Sequence, residues 1–338
     1  MNSNKASQQE KKDSKLSFTQ GSYLVDAGIE TYLIFHRNQD LPYFSSFVLL
    51  EKPEGRKELI DYYLPFFKMA EEYNLNFIIE TPTWRSNTDT GLKLGYTLES
   101  LCDLNSRAVR FVREIAEKYT PKNMAGRVLI SGVLGPRGDG YIVDHAMTIE
   151  EARKYHSPQI QAFVKENVDL ITAYTINYKE EAIGIIKAAK DAGVPVGISF
   201  TVETDGRLPS GESLKEAIEQ ADKETDSYAS YFMINCAHPN HIIDMLEKSD
   251  GDWKKRIYGI RANASTKSHA ELEQCESLDM GDYQLLGNGI MKLKQLLPNF
   301  KIVGGCCGTD HSHVKVFCEH LFKPVANEGQ PETLKDYP

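Results

Sequence analysis

The sequence predicts a single (β/α)8 barrel of the TIM type, and three observations lead there. Short apolar, β-branched runs alternate with longer stretches of helical periodicity, the pattern of βα units around a parallel sheet. Eight such units can be counted along the 338 residues. No Pro/Ser/Gly-rich linker or shift in composition divides them, and the length suits one barrel, which typically needs about 250 residues.

The strand-like runs are residues 23–25, 76–80, 128–134, 170–174, 196–202, 231–236, 257–262 and 301–304. Helical patterns lie at 97–118, 149–167, 179–192, 214–222, 241–248 and, just before the last strand, 291–297. Thr148 with Glu151 and Ser213 with Glu216 form capping boxes that open two of these helices. Asp191-Ala192-Gly193-Val194-Pro195 is a stop: Gly193 is free to take a left-handed cap, and Pro195 cannot continue a helix. A doubly wound open sheet would need a glycine fingerprint between its first strand and helix. The nearest candidate, Gly132-Val133-Leu134-Gly135-Pro136-Arg137-Gly138-Asp139-Gly140, lacks that spacing and places Pro136 where the helix should begin. Residues 1–18 and 323–338 read as a disordered polar tail and a flexible C-terminal tail around a domain of 19–322.

Composition narrows the partners. With 39 Lys+Arg against 48 Asp+Glu, the net charge of −9 argues against a nucleic acid or an anionic membrane, either of which needs a basic face. No run of about 20 apolar residues exists to span a bilayer. The opening MNSNKASQQEKKDSK lacks the apolar segment of a secretory signal, so a cytoplasmic location is expected. A homo-oligomer is compatible with this composition but is not specified by it.

Six cysteines occur, at 102, 236, 275, 306, 307 and 318. Barrel chemistry sits at the C-terminal ends of the strands. Cys236 ends the sixth strand-like run and the pair Cys306-Cys307 ends the eighth, so the three can reach a common point on one rim. Three thiolates suit Zn2+, with the fourth tetrahedral position open to water or substrate. Gly304, Gly305 and Gly308 let the chain turn sharply enough for adjacent side chains to face one point. A redox pair at Cys306-Cys307, strained as adjacent cysteines must be, and plain burial of Cys236 are the alternatives. Cys102, Cys275 and Cys318 read as incidental.

With these residues the sequence resembles the homocysteine S-methyltransferase family over about residues 22–320. Gly304-Gly305-Cys306-Cys307-Gly308-Thr309 is the most specific match, Asn235-Cys236 matches the first zinc ligand, and Asp26-Ala27-Gly28-Ile29-Glu30-Thr31 matches the opening Asp-Gly-Gly-x-x-Thr. Thr81-Pro82-Thr83-Trp84-Arg85-Ser86, Ser131–Pro136, Tyr155–Gln159 and Arg261-Ala262-Asn263-Ala264 agree more loosely. One departure matters: the family's fourth strand ends in Phe-Glu-Thr, whose Glu helps hold the amino group of homocysteine, and here Ala173-Tyr174-Thr175 stands instead.

The resemblance implies that Cys236, Cys306 and Cys307 hold Zn2+ and that the homocysteine thiol, entering the open position, takes a methyl group from a sulfonium or ammonium donor to give methionine. S-methylmethionine, S-adenosylmethionine and betaine are donors of that type. It makes Asp26 the candidate catalytic residue and holder of the amino group, with Thr31 beside it. Trp84 and Tyr174 would line the donor site, where aromatic faces attract a methylated cation, and Asn263 would fix a loop or bind substrate. His311 and His313 are expected in the first turn of the last helix, with Asp310 as its N-cap. A different small thiol or selenol acceptor, and a non-catalytic zinc-binding barrel, remain open beside this reading.

Overall fold

A sheet packed on both faces needs strands that are apolar nearly throughout, and this chain supplies eight. The structure is a computed structural model that describes residues 21–325 except His145 and Glu276. The strands are β1 (Tyr23–Leu24), β2 (Asn76–Glu80), β3 (Val128–Leu134), β4 (Leu170–Ile176), β5 (Val196–Thr201), β6 (Tyr231–Ala237), β7 (Ile257–Ala262) and β8 (Ile302–Gly305). Each pairs in parallel with the next, and β8 pairs with β1 to close the barrel. The outer ring comprises α1 (Ile29–Arg37), α2 (Pro53–Glu72), α3 (Thr88–Lys93), α4 (Leu98–Tyr119), α5 (Ile149–Lys165), α6 (Lys179–Ala192), α7 (Leu214–Thr225), α8 (Asn240–Lys248), α9 (His269–Glu273), α10 (Tyr283–Leu296) and α11 (His311–Leu321).

The capping residues act as their sequence suggests. Thr148 and Ser213 each accept from the third helical amide while Glu151 and Glu216 answer the cap's own N–H. Gly193 ends α6 with φ 69°. The helical pattern at 291–297 is only the end of α10, which begins eight residues earlier at Tyr283. Gly287 and Gly289 dilute the helical signal there. They are packing residues: a Cβ on Gly287 would lie 2.7 Å from the His320 ring, and one on Gly289 2.7 Å from Pro239. The expected tails fall outside the described residues except for 323–325, where the Val325 amide donates to the Glu72 carbonyl at 2.8 Å. No described helix is long and apolar enough to cross a membrane.

Alternation along each strand sorts the side chains. The face turned outward packs on the helices in one large core that includes Ile79, Ile130, Ile171, Ile198 and Phe232. The inward face is layered. Tyr23, Ile78, Leu129, Leu170, Tyr231 and Ile302 belong to an apolar cluster. Beyond it, Ser131 Oγ and Thr172 Oγ1 lie 2.9 Å apart, and Thr172 meets the Tyr231 hydroxyl at 3.1 Å. Two residues further along the strands come Glu80, Tyr174, Asn235 and Arg261, which share that inward parity. The barrel interior therefore turns from apolar to ionic toward the C-terminal rim.

Gly259 leaves no room for a side chain between β7 and β8: a Cβ there would sit 1.8 Å from the Ile302 carbonyl oxygen, and a backbone atom cannot step aside. Gly259→Ala should lower unfolding free energy by roughly 2–3 kcal/mol, the cost of overpacking, measured by denaturant titration. An unchanged midpoint would mean that the two strands are not so tightly joined.

Candidate metal centre and adjoining pocket

On a regular strand Asn235 and Cys236 point to opposite sides, so one of them would be turned away from the barrel axis. The chain avoids this by bending. Cys236 has φ 52°, and the register between β6 and β7 shifts between Asn235 and Ala237. A left-handed non-glycine residue costs of order 1 kcal/mol or more and needs its surroundings to hold it. The Asn235 amide supplies part of that hold: its oxygen accepts from the Thr175 amide at 2.9 Å and its nitrogen donates to Thr175 Oγ1 at 2.9 Å. His269 supplies more, with Nε2 2.6 Å from the Cys236 carbonyl oxygen and Nδ1 3.0 Å from Glu203.

The cysteine pair sits just past β8. Cys306 continues the ladder by donating its amide to the Ala262 carbonyl at 2.8 Å, and the chain then reverses through Gly308 at φ 79°. Thr31, from the start of α1, clamps this turn: its hydroxyl donates to the Gly28 carbonyl at 3.0 Å and accepts from the Gly308 amide at 3.2 Å. Thr31 also lines the pocket. Gly28 is required there, since a Cβ would lie 2.3 Å from the Cys306 carbonyl oxygen.

The three sulfurs all lie within 4.8 Å of one another, with Cys236 Sγ 2.7 Å from Cys306 Sγ and 4.0 Å from Cys307 Sγ. They share protons: hydrogen bonds from Cys306 and Cys307 hold the Cys236 thiol well below the usual range, while the bond to Cys236 pushes Cys306 up to about 12. Tetrahedral zinc with Zn–S bonds of about 2.3 Å separates its sulfurs by about 3.8 Å; the Cys236–Cys307 pair is close to that spacing and the Cys236–Cys306 pair would open by about 1 Å, so the donor set fits the ion in chemistry.

Beside the sulfurs lies a buried ionic group. Arg261 of β7 pairs with Asp26, which follows β1, and with Glu80 at the end of β2, and its Nε donates to the Gly305 carbonyl at 2.8 Å. The Tyr174 hydroxyl donates to Glu80 at 2.7 Å, and the guanidinium carbon lies 4.8 Å from the centre of the Tyr174 ring. One cation faces two carboxylates, and burial outweighs the pull of Arg261. It pushes Asp26 up to about 6 and Glu80 up to about 8. Asp26, read from the sequence as the holder of a substrate amino group, is thus already shared with Arg261. Tyr174, set by the resemblance against a Glu of the family, is uncharged, and the carboxylate its hydroxyl meets is Glu80 of β2. Sequence reasoning gave Glu80 no role; its inward parity two residues after Ile78 was the available signal.

Sulfurs and ionic group share one cavity of about 480 Å3. Trp84, Arg85, Tyr141, His269, Asn263 and Cys275 also line it. Asn263 Oδ1 is buried without a hydrogen-bond partner among the described residues. Trp84 lines the cavity, and the Arg85 guanidinium lies over its ring at 4.2 Å. Tyr141 stacks on His269 with ring centres 3.9 Å apart and brings its hydroxyl 3.9 Å from Cys307 Sγ. Cys275 lies in the cavity wall, although the sequence marked it as incidental. His311 and His313 occupy the first turn of α11, capped by Asp310, which accepts from the Ser312 amide at 2.9 Å.

Comparison with known proteins agrees with this geometry. Residues 23–321 match the sequence model of the family described as "Homocysteine S-methyltransferase". Homocysteine S-methyltransferase 1 of Arabidopsis thaliana is 24% identical, over 89% of this chain and 94% of that protein. Betaine–homocysteine S-methyltransferase 1 of Bos taurus is also 24% identical, over 67% of this chain and 56% of its own length. Among solved structures, the metallated form of the homocysteine methyltransferase MmuM from Escherichia coli superposes with a TM-score of 0.68 at 17% identity, over 89% of this chain and 96% of that one. The match across nearly the whole barrel establishes the fold and the reaction class: this chain is a transferase and belongs to the homocysteine S-methyltransferase family.

Proposed function

We propose that the protein is a zinc-dependent S-methyltransferase that moves a methyl group from a sulfonium or ammonium donor to the thiol of homocysteine, giving methionine. The observation that carries this reading is the convergence of three thiols on one side of a cavity whose wall holds two buried carboxylates against one guanidinium. Cys236, Cys306 and Cys307 would hold the ion. Zinc bound there supplies Lewis acidity, keeping a thiol deprotonated near pH 7, where a free one of pKa about 8.5 is only about 3% thiolate.

The chain's own residues do the rest. With Asp26 and Glu80 both ionised against Arg261, the group carries one uncompensated negative charge. An ammonium restores neutrality, so this wall favours a thiol with a nearby amino group over a bare thiol. Asn263 Oδ1 offers a further acceptor. Held at these points, the acceptor sulfur faces the cavity. A carbon–sulfur bond forms to the donor methyl as the donor's bond to that carbon breaks, and a neutral sulfide or amine leaves. Orientation within an enclosed cavity, rather than a covalent intermediate on the protein, is the catalytic contribution of the chain.

Glu80 makes the amine pocket pH-sensitive. Burial raises its pKa to about 8 against the opposing pull of Arg261, with Asp26, Tyr174 and Cys306 also acting on it, so the carboxyl holds a proton at neutral pH in the free protein. Ammonium binding displaces that proton, so affinity rises as pH climbs toward about 8.

Two measurements test these claims. Cys306→Ala should release zinc on dialysis and abolish methionine formation from homocysteine with S-methylmethionine or betaine; one zinc per chain retained in that variant would refute the ligand set. The preference for homocysteine over 4-mercaptobutyrate, its amine-free counterpart, should grow by about tenfold between pH 6.5 and 8 in titration calorimetry, and Glu80→Gln should remove that growth. Equal binding of the two thiols at both pH values would contradict the amine pocket.

A further inference from the structure

Two guanidiniums line the cavity, and they differ in one respect. Arg261 is matched by two carboxylates. Arg85 makes no ion pair within 4.0 Å among the described residues, although Arg137, near it on the same rim, is paired with Asp89. Asp139, the carboxylate whose charge acts most on Arg85, is turned to its own loop, where Oδ1 accepts from the amides of Tyr141 at 2.7 Å and Ile142 at 3.1 Å. Arg85 is nevertheless fixed in place. Its guanidinium lies over the Trp84 ring at 4.2 Å, and Nη1 donates to the Gly138 carbonyl. A guanidinium has five N–H donors, so most of this one's remain for a ligand.

Leaving a cation half-buried, without an anion, in a cavity is unfavourable unless something arrives to balance it. Burial pulls the pKa of Arg85 below its usual value, the mark of a charge the protein does not itself compensate. Holding the fork against Trp84 also reduces the side-chain freedom lost on binding.

We propose that Arg85 is a specificity residue that binds a carboxylate of the ligand at the cavity mouth, so that the enzyme selects carboxylate-bearing reactants over their neutral analogues. This rests on the methyltransfer reading above. Two reactants can bring such a group: the methyl donor, as in betaine and S-methylmethionine, and the acceptor amino acid. A planar, bidentate pairing with the fork is the recognition that Arg, unlike Gln, supplies.

Four ligands test this by calorimetry on the full-length, zinc-loaded protein: betaine against its methyl ester, and homocysteine against 3-aminopropane-1-thiol, which lacks the carboxylate. The unaltered protein should prefer the acid of at least one pair by about tenfold or more. Arg85→Gln should abolish that preference and Arg85→Lys should restore part of it, with the melting temperature showing that both variants fold. Loss confined to the betaine pair places the carboxylate on the donor, and loss confined to the thiol pair places it on the acceptor. If Arg85→Gln leaves both ratios unchanged, the proposal is overturned. If the ratios respond as expected but no methionine forms with any donor, the methyltransfer reading fails while carboxylate recognition by Arg85 stands.

Discussion

The buried guanidinium of Arg261 is the interaction on which the rest of this structure turns. It joins the ends of four strands: Asp26 after β1, Glu80 on β2, its own β7 and the Gly305 carbonyl on β8, with the Tyr174 ring of β4 against its face. A charge taken out of water is tolerated only when its partners are well placed, and removing one partner of a buried pair typically costs about 3–5 kcal/mol. Here the partners are spread around the barrel, so the closure of the sheet and the satisfaction of the charge depend on each other. The same group forms one wall of the cavity. Burial of two carboxylates against one guanidinium raises the pKa of both acids, which is the kind of perturbation that clusters at functional sites.

The sulfur centre depends on a second constraint, the geometry of strand ends. Thr175 and Cys236 both take left-handed backbone angles, with φ 61° and 52°, and are tied together through the side chain of Asn235. Gly308 does the same for the cysteine pair at φ 79°. These bends place three sulfurs, two of them adjacent in sequence, at one point. The bends at Thr175 and Cys236 are local strains held by hydrogen bonds and by His269, and with the turn at Gly308 they bring the sulfurs together.

The barrel was legible because each of its signals is local. Alternation of apolar runs with helical periods, the boxes at Thr148 and Ser213, and Gly193 are all read within a few residues, and each appears where expected. The cysteines were legible for the same reason: Cys306-Cys307 stand in a glycine-rich run, and Asn235-Cys236 close a strand. What escaped was whatever is assembled from distant positions. Glu80 closes an ordinary apolar strand, and its partners lie at 26, 174 and 261, so no spacing announces the group. The absence of a carboxylate at Tyr174 could be seen in the sequence, whereas the meeting of Tyr174 with Glu80 of β2 needed the closed barrel. Tertiary contact likewise decided α10, whose glycines weaken the helical signal but admit His320 and Pro239.

In the proposed function the acceptor thiol meets the centre of Cys236, Cys306 and Cys307 while the amine of the same molecule meets the Asp26–Arg261–Glu80 wall. Zinc-edge X-ray absorption on the loaded protein, with and without homocysteine, addresses this most directly. The account predicts three sulfur ligands at about 2.3 Å in the free protein and a fourth when homocysteine is added. A sulfur count unchanged by homocysteine, or a first shell dominated by nitrogen and oxygen, would contradict it.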